Sequence, residues 1–251
     1  MNQYIRNLSM NRSKRLPICF CIDCSGSMER VVEGFEYCVE TGRECFIDGE
    51  YSKEVRDDNP NIKTAMDIVK SSFELCYEEI VNEEHAADAC ESITVAFNDK
   101  PQILDEFDEI ASKKFPKFPR PKGNTCISSA IELCLNLLDE RIKVYKSQGI
   151  RNYTPWLIIF TDGKSLDDVT NVIEELNNRE RRKELVVYPF SLSNDPNDKE
   201  LVRRFSIKNL LDASDSTKIK DAFKIISQYL SYTSSTGCIK YFNEWGIPED
   251  F

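Results

Sequence analysis

The chain has 251 residues, 41% of them apolar and 30% charged, with 43 acidic against 33 basic side chains and a net charge of −10. That is enough apolar material for one large or two small domains, and it excludes a wholly disordered chain. The acidic balance points away from a general nucleic-acid binder, which needs a basic face for phosphates, and no apolar run approaches the roughly 20 residues of a bilayer span.

Residues 1–13 are polar and basic, with no apolar stretch after them, and read as a flexible arm rather than a secretory signal. Without export, the ten cysteines are expected as thiols in a reducing, cytoplasmic setting. Cys21 and Cys24 form one C-x-x-C pair, but the second pair that a zinc ribbon needs is absent.

The nearly continuous apolar run over 16–23 predicts a strand buried on both faces, as in a parallel sheet. It ends in the polar turn Asp23-Cys24-Ser25-Gly26-Ser27. Residues 30–61 are rich in acids and glycine and read as an insertion holding a small hairpin, with Asp48-Gly49 as its turn. Apolar residues at helical spacing predict an amphipathic helix over 62–81. A strand follows over 92–97, then a second, antiparallel strand over 102–107. Three prolines between Phe115 and Pro121 predict a loop that cannot be helical. A long helix is expected over 127–145. Trp156-Leu157-Ile158-Ile159-Phe160 is the best central-strand candidate and ends in Thr161-Asp162-Gly163. After it come a helix over 166–182, a strand over 185–190, a short helix over 199–205, a last strand at Leu210-Leu211 and a helix over 216–232. Residues 233–251 read as an irregular tail.

Strands alternating with helices of this length predict an α/β fold. The expected architecture is a doubly wound, mostly parallel six-stranded sheet, with one antiparallel edge strand and helices on both faces. One domain over 14–232 carries the insertion.

In an open α/β sheet, ligands sit beyond the carboxyl ends of the strands. Asp23, Ser25 and Ser27 close the first strand, Asp162 closes the most apolar one, and Thr125 lies in the loop before the long helix. If the two strands are neighbours, two carboxylates and three hydroxyls meet at one spot. Such hard oxygen donors suit a small hard cation such as Mg²⁺, with Mn²⁺ or Ca²⁺ as alternatives. With few direct negative charges around it, the ion would stay electrophilic and favour a carboxylate from outside.

Asp23-Cys24-Ser25-Gly26-Ser27, Gly123-Asn124-Thr125 and Thr161-Asp162-Gly163 together resemble the metal-ion-dependent adhesion site of von Willebrand factor A domains. All five family positions are filled, by Asp23, Ser25, Ser27, Thr125 and Asp162. Within that family, Arg15-Leu16-Pro17, Pro155-Trp156 and the ending from Lys220-Asp221-Ala222-Phe223 to Tyr232-Thr233-Ser234 resemble the bacterial tellurium-resistance TerY type. The resemblance implies that the serines and the threonine bind the metal and that the aspartates act partly through waters. A glutamate or aspartate of a partner protein, with a kinase or phosphatase encoded nearby as a candidate, would complete the site. Neither nucleic acid nor membrane is an expected partner. One departure is the stretch of about thirty residues between the turn and the first helix.

Other polar residues have plainer readings. Asp99, Asp105, Asp108, Asp167 and Asp168 read as solvated surface. Cys21 reads as a buried apolar residue, Cys24 as an exposed member of the turn, and His85 as a surface residue near a helix end. The run Arg179, Arg181, Arg182, Lys183 suits a helix C-terminus. The rival reading is a Mg²⁺-dependent phosphohydrolase or phosphotransferase with Asp23 as nucleophile and Lys164 on phosphate. Ser25 stands where its second carboxylate is expected, His85 is far from the site, and no phosphate loop or Ser-His-Asp set is present. The sequence therefore predicts a binding module and not an enzyme.

Overall fold

The computed structural model describes residues 14–47, 50–55, 59–208, 211–237, 241–242 and 248–249. The expected arm at 1–13, the Asp48-Gly49 turn and Leu210 lie outside the described residues.

In chain order, β1 (Leu16–Asp23) leads into a 3₁₀ turn at Gly26–Glu29 and then β2 (Val31–Glu33), β3 (Glu40–Ile47), β4 (Glu50–Val55) and β5 (Lys63–Thr64). Helices α1 (Ala65–Asn82) and α2 (Glu84–Ala89) precede β6 (Cys90–Phe97), β7 (Pro101–Ile103) and β8 (Asp108–Glu109). Then come α3 (Ile127–Gln148), β9 (Trp156–Thr161), α4 (Thr170–Arg181), β10 (Val186–Ser191), α5 (Pro196–Arg203), β11 (Leu211–Asp212) and α6 (Ser216–Thr236). Beyond α6, where the sequence predicts an irregular tail, Tyr241–Phe242 and Pro248–Glu249 form a short antiparallel pair.

The main sheet runs β11-β10-β9-β1-β6-β7, with β8 also paired to β6. β1, β6, β9, β10 and β11 are parallel, and β7 and β8 are antiparallel to β6. β1 and β9 are indeed neighbours, with Ile22 opposite Phe160. The sheet has seven strands rather than the expected six, because the predicted 102–107 strand is limited to Pro101–Ile103 and a further short strand, Asp108–Glu109, pairs with β6 beyond it. The Asp105 carboxylate accepts hydrogen bonds from the Thr94 amide (2.6 Å) and hydroxyl (3.2 Å), and so takes the place of a backbone partner. Lys113 pairs with Asp105 at 2.9 Å in a largely buried setting. Asp105 is therefore an edge-strand pin and not solvated surface.

Every residue of β1 is buried, and its side chains alternate between two cores. Leu16, Ile18, Phe20 and Ile22 pack with Met66, Phe73 and Tyr77 of α1 and Phe223 and Ile226 of α6. Cys19 and Cys21 face Ile131, Cys134 and Leu138 of α3 and Leu176 of α4. Helices thus cover both faces, and Cys21 is the small apolar filler that the sequence predicts. Cys24 differs from its expectation, because it is fully buried in the α1 and α6 layer. Cys19, Cys21, Cys24, Cys38, Cys76, Cys90, Cys126 and Cys134 are free thiols.

Several boundaries follow from side-chain caps. Thr64 and Asp67 form a reciprocal capping box that starts α1. Glu83 accepts from the Ala86 amide and starts α2, a helix additional to the sequence expectation. Asp195 with Pro196 opens α5 three residues earlier than predicted. Helix α4 begins only at Thr170, because residues 163–168 are engaged in the loops described below. Arg179 is held by Asp139 (2.7 Å) and Glu175 (2.6 Å), so its role is structural. Among the described residues no helix is long and apolar enough to cross a membrane.

Candidate metal site

The turn after β1 is built by Asp23. Its Oδ1 accepts from the Ser25 amide at 2.8 Å, which folds the chain back on itself. Its Oδ2 accepts from the Thr161 hydroxyl at 2.7 Å, which ties the end of β1 to the end of β9. Ser25 and Ser27 hydroxyls lie 3.0 Å apart. Asp162 follows Thr161 directly, is 2% exposed, and accepts from the Lys164 amide at 3.3 Å.

Thr125 reaches the site on a loop held from several sides. Gly26 N donates to Gly123 O (3.0 Å), Lys122 N to Cys24 O (3.0 Å), Cys126 N to Asn98 O (2.9 Å) and Leu166 N to Thr125 O (3.0 Å). Asp99 accepts from both nitrogens of Asn124, at 3.0 and 2.9 Å. Gly123 has φ +74°, and a Cβ there would meet the Asp99 carboxylate at 2.3 Å, so only glycine fits this approach. Asp167 accepts from Ile127 N (3.1 Å) and Ser128 N (2.9 Å) and caps α3 from outside its own chain segment. Upstream, Phe115 and Phe118 pack edge-on against Phe73, with ring centroids 5.6 and 5.8 Å away, and anchor the proline-rich loop. Asp99, at the surface as the sequence predicts, and Asp167, half-buried, are thus the pins of the Thr125 loop. Their partners are distant in the chain, so no local signal marks them.

Asp23 is fully buried, and its carboxyl is pushed up to about 7, first by burial and second by the charge of Asp162. Hydrogen bonds from Ser25 and Thr161 oppose that rise. The Thr125 hydroxyl is buried and makes no hydrogen bond. A buried orphan hydroxyl, on a loop hydrogen-bonded to the Asp23 turn, costs free energy unless something else satisfies it. An oxygen-seeking cation fits that donor set, because it would relieve the repulsion between the aspartates and use the lone pairs of the threonine. Among the described residues no group of three or more His, Cys, Asp or Glu could hold a metal. The candidate set differs from such a group in offering two carboxylates, with hydroxyls as its other oxygens.

Gly163, after Asp162, has φ +85°, and a Cβ there would sit 2.8 Å from the Asp198 carbonyl oxygen. Gly163→Ala is expected to cost about 1–3 kcal/mol, from the left-handed backbone and the collision with α5. Urea denaturation reads this, and a loss below about 0.5 kcal/mol would contradict the close packing.

Of the five candidate residues, Ser27 and Asp162 line a cleft of about 1540 Å³. Ser27, Arg30 and Asp162 line it on one side, and Thr41, Lys53 and Glu54 of the β3–β4 hairpin line the other. The inserted segment is therefore a wall of the approach to the site. Arg30 went unnoticed in the sequence because it falls where the insertion begins.

No protein-family model matches the chain, and no curated protein does. Solved structures do. The D319A mutant of the PilB minor pilin from Streptococcus sanguinis superposes with a TM-score of 0.57 at 11% identity, covering 90% of this chain and 64% of that one. The pilus adhesin SpaC from Lactobacillus rhamnosus GG, in its open conformation, gives 0.60 at 10% identity, over 88% of this chain and 30% of that one. The SpRpn10 VWA domain gives 0.51 at 10% identity, over 84% and 95%. The chain thus spans less than two thirds of the pilin and adhesin, and nearly all of the isolated domain. At these identities the likeness concerns the fold, and that fold is the von Willebrand A type, a mostly parallel sheet between two helical layers.

Proposed function

We propose that this chain is a metal-dependent protein-binding module. Ser25, Ser27 and Thr125 would hold a divalent cation, most simply Mg²⁺, with Mn²⁺ or Ca²⁺ as alternatives. Asp23 and Asp162 would act largely through waters, as the resemblance to the adhesion site implies. The ion would supply an open coordination position for an aspartate or glutamate of a partner protein. The observation that carries this reading is the buried, unbonded hydroxyl of Thr125, held by its loop next to the Asp23 turn. The adhesin among the fold neighbours is in keeping with it. The free thiols suit a cytoplasmic setting. By resemblance to TerY-type proteins, the partner belongs to a bacterial stress-response or defence system, a kinase or phosphatase being the first candidate. Both Asp23 oxygens are engaged and buried, which suits holding a site together better than nucleophilic attack.

The test is Thr125→Val. A merely structural threonine with an orphan hydroxyl gains from this substitution, so the metal-free variant should be more stable by about 1 kcal/mol. If the hydroxyl is a ligand, calorimetric titration of the same variant with Mg²⁺ should show affinity reduced by about tenfold or more. Unchanged Mg²⁺ affinity would remove Thr125 from the site. A wild-type chain that binds no divalent cation would overturn the metal reading.

A further inference from the structure

The site contains a fixed positive charge that the five-residue pattern does not include. Arg30 follows the 3₁₀ turn, and its backbone is clamped on both sides. Its amide donates to Ser27 O (3.0 Å), and its carbonyl accepts from Ala65 N at the start of α1 (2.9 Å). Its guanidinium reaches across to donate to Leu192 O, just beyond β10, while Leu192 N donates to Thr161 O (2.8 Å) at the end of β9. The side chain therefore bridges the metal turn and the far side of the β9 terminus, and it lines the same cleft as Ser27 and Asp162. The charges it feels most are those of Asp162 and then Asp23, which partly offset its own burial.

From this geometry we infer that Arg30 is a specificity-determining residue of the candidate site, one that weakens cation binding and selects an anionic over a neutral ligand. The inference rests on the metal reading given above. The charge count shows why both effects belong to one residue. With both aspartates ionised, as a bound cation requires, they and the guanidinium sum to −1, which is a weaker lure for a divalent ion than the −2 of the aspartates alone. With a divalent ion added, the sum becomes +1 instead of zero, so an incoming carboxylate is favoured and a neutral amide is not. A site of hydroxyls and aspartates alone would be neutral once loaded. A guanidinium is suited to this role because it stays charged when half-buried and can fork onto a carboxylate.

The test uses the full chain, stripped of metal, as wild type, Arg30→Met and Arg30→Lys. Arg30→Met should bind Mg²⁺ more tightly by about tenfold, and Arg30→Lys should stay near wild type because it keeps the charge. On the Mn²⁺-loaded proteins, acetate and acetamide serve as charged and neutral probes, read by water-proton relaxation. Acetate should bind Arg30→Met at least about threefold more weakly than wild type, with acetamide unaltered. Arg30→Gln replaces the methionine variant if that one does not fold. Unchanged or weaker Mg²⁺ binding in the uncharged variant, or undiminished acetate binding, would overturn the inference while leaving the metal site standing. Failure of the wild type to bind either ion would remove the metal reading itself, and this inference with it.

Discussion

Glu91→Gln is expected to lower the free energy of unfolding by about 3–5 kcal/mol. Glu91 is fully buried and serves two arginines. Its Oε2 accepts from Arg141 Nε at 2.8 Å, and from the hydroxyl of Tyr145. Its Oε1 lies 3.5 Å from Arg15 Nε. Arg15 is itself fully buried, with Glu109 2.8 Å from its Nη2 and the Asp88 carbonyl accepting from Nη1. Removing the charge at Glu91 leaves Arg15 with Glu109 alone and takes the buried carboxylate from Arg141, and a buried charge that loses its carboxylate costs far more than the pair contributes when whole. Replacement of the whole group by apolar residues of equal volume is the contrasting case and should cost much less. Urea denaturation checks the prediction, through a lowered midpoint at unchanged slope. A loss below about 1 kcal/mol would show that water reaches the network. Arg15 and Asp23 bracket β1, whose eight residues span roughly 26 Å, so divalent-ion affinity should not move.

Asp162→Ala has the largest expected effect at the candidate site. Acting through waters, a carboxylate of this kind contributes about 10- to 100-fold to metal affinity. Mg²⁺ titration of the variant should therefore show that loss, and capture of a partner from solution should lose its sensitivity to chelator. The metal-free variant should change little in stability, because Asp23 is relieved of a like charge while Arg30 loses an opposite one. A loss of affinity with no loss of stability is expected only if the aspartates are placed for a cation. Metal-dependent capture retained by Asp162→Ala would refute the assignment. A large loss of stability in the metal-free variant would instead mark Asp162 as a structural residue.

Much of this molecule is readable from local pattern. The runs at 16–23 and 156–160 are apolar at almost every position, so they had to lie in the middle of a sheet covered on both sides, and they do. Helices α1, α3 and α6 carry apolar stripes wide enough to be recognised in one dimension. The turn chemistry of Asp23-Cys24-Ser25-Gly26-Ser27 is also local, since the Asp23 carboxylate closes the turn on the Ser25 amide two residues on. Where the reading slipped, a side chain had taken over a backbone role from a distance. Asp105 took the Thr94 amide just beyond the shortened edge strand, and Asp167 capped a helix that begins forty residues before it.

The amino-acid order alone therefore determined the layers, the sequence of elements and which strands end in oxygen-bearing residues, because burial periodicity and turn chemistry act over a few residues. Tertiary structure alone decided that β1 and β9 are neighbours, that Asp99 and Asp167 hold the Thr125 loop, and that the hairpin and Arg30 flank the approach. These are contacts between segments far apart in the chain. Their free energy depends on the burial and charge of groups brought together only when the sheet has formed, and no window of sequence contains both partners.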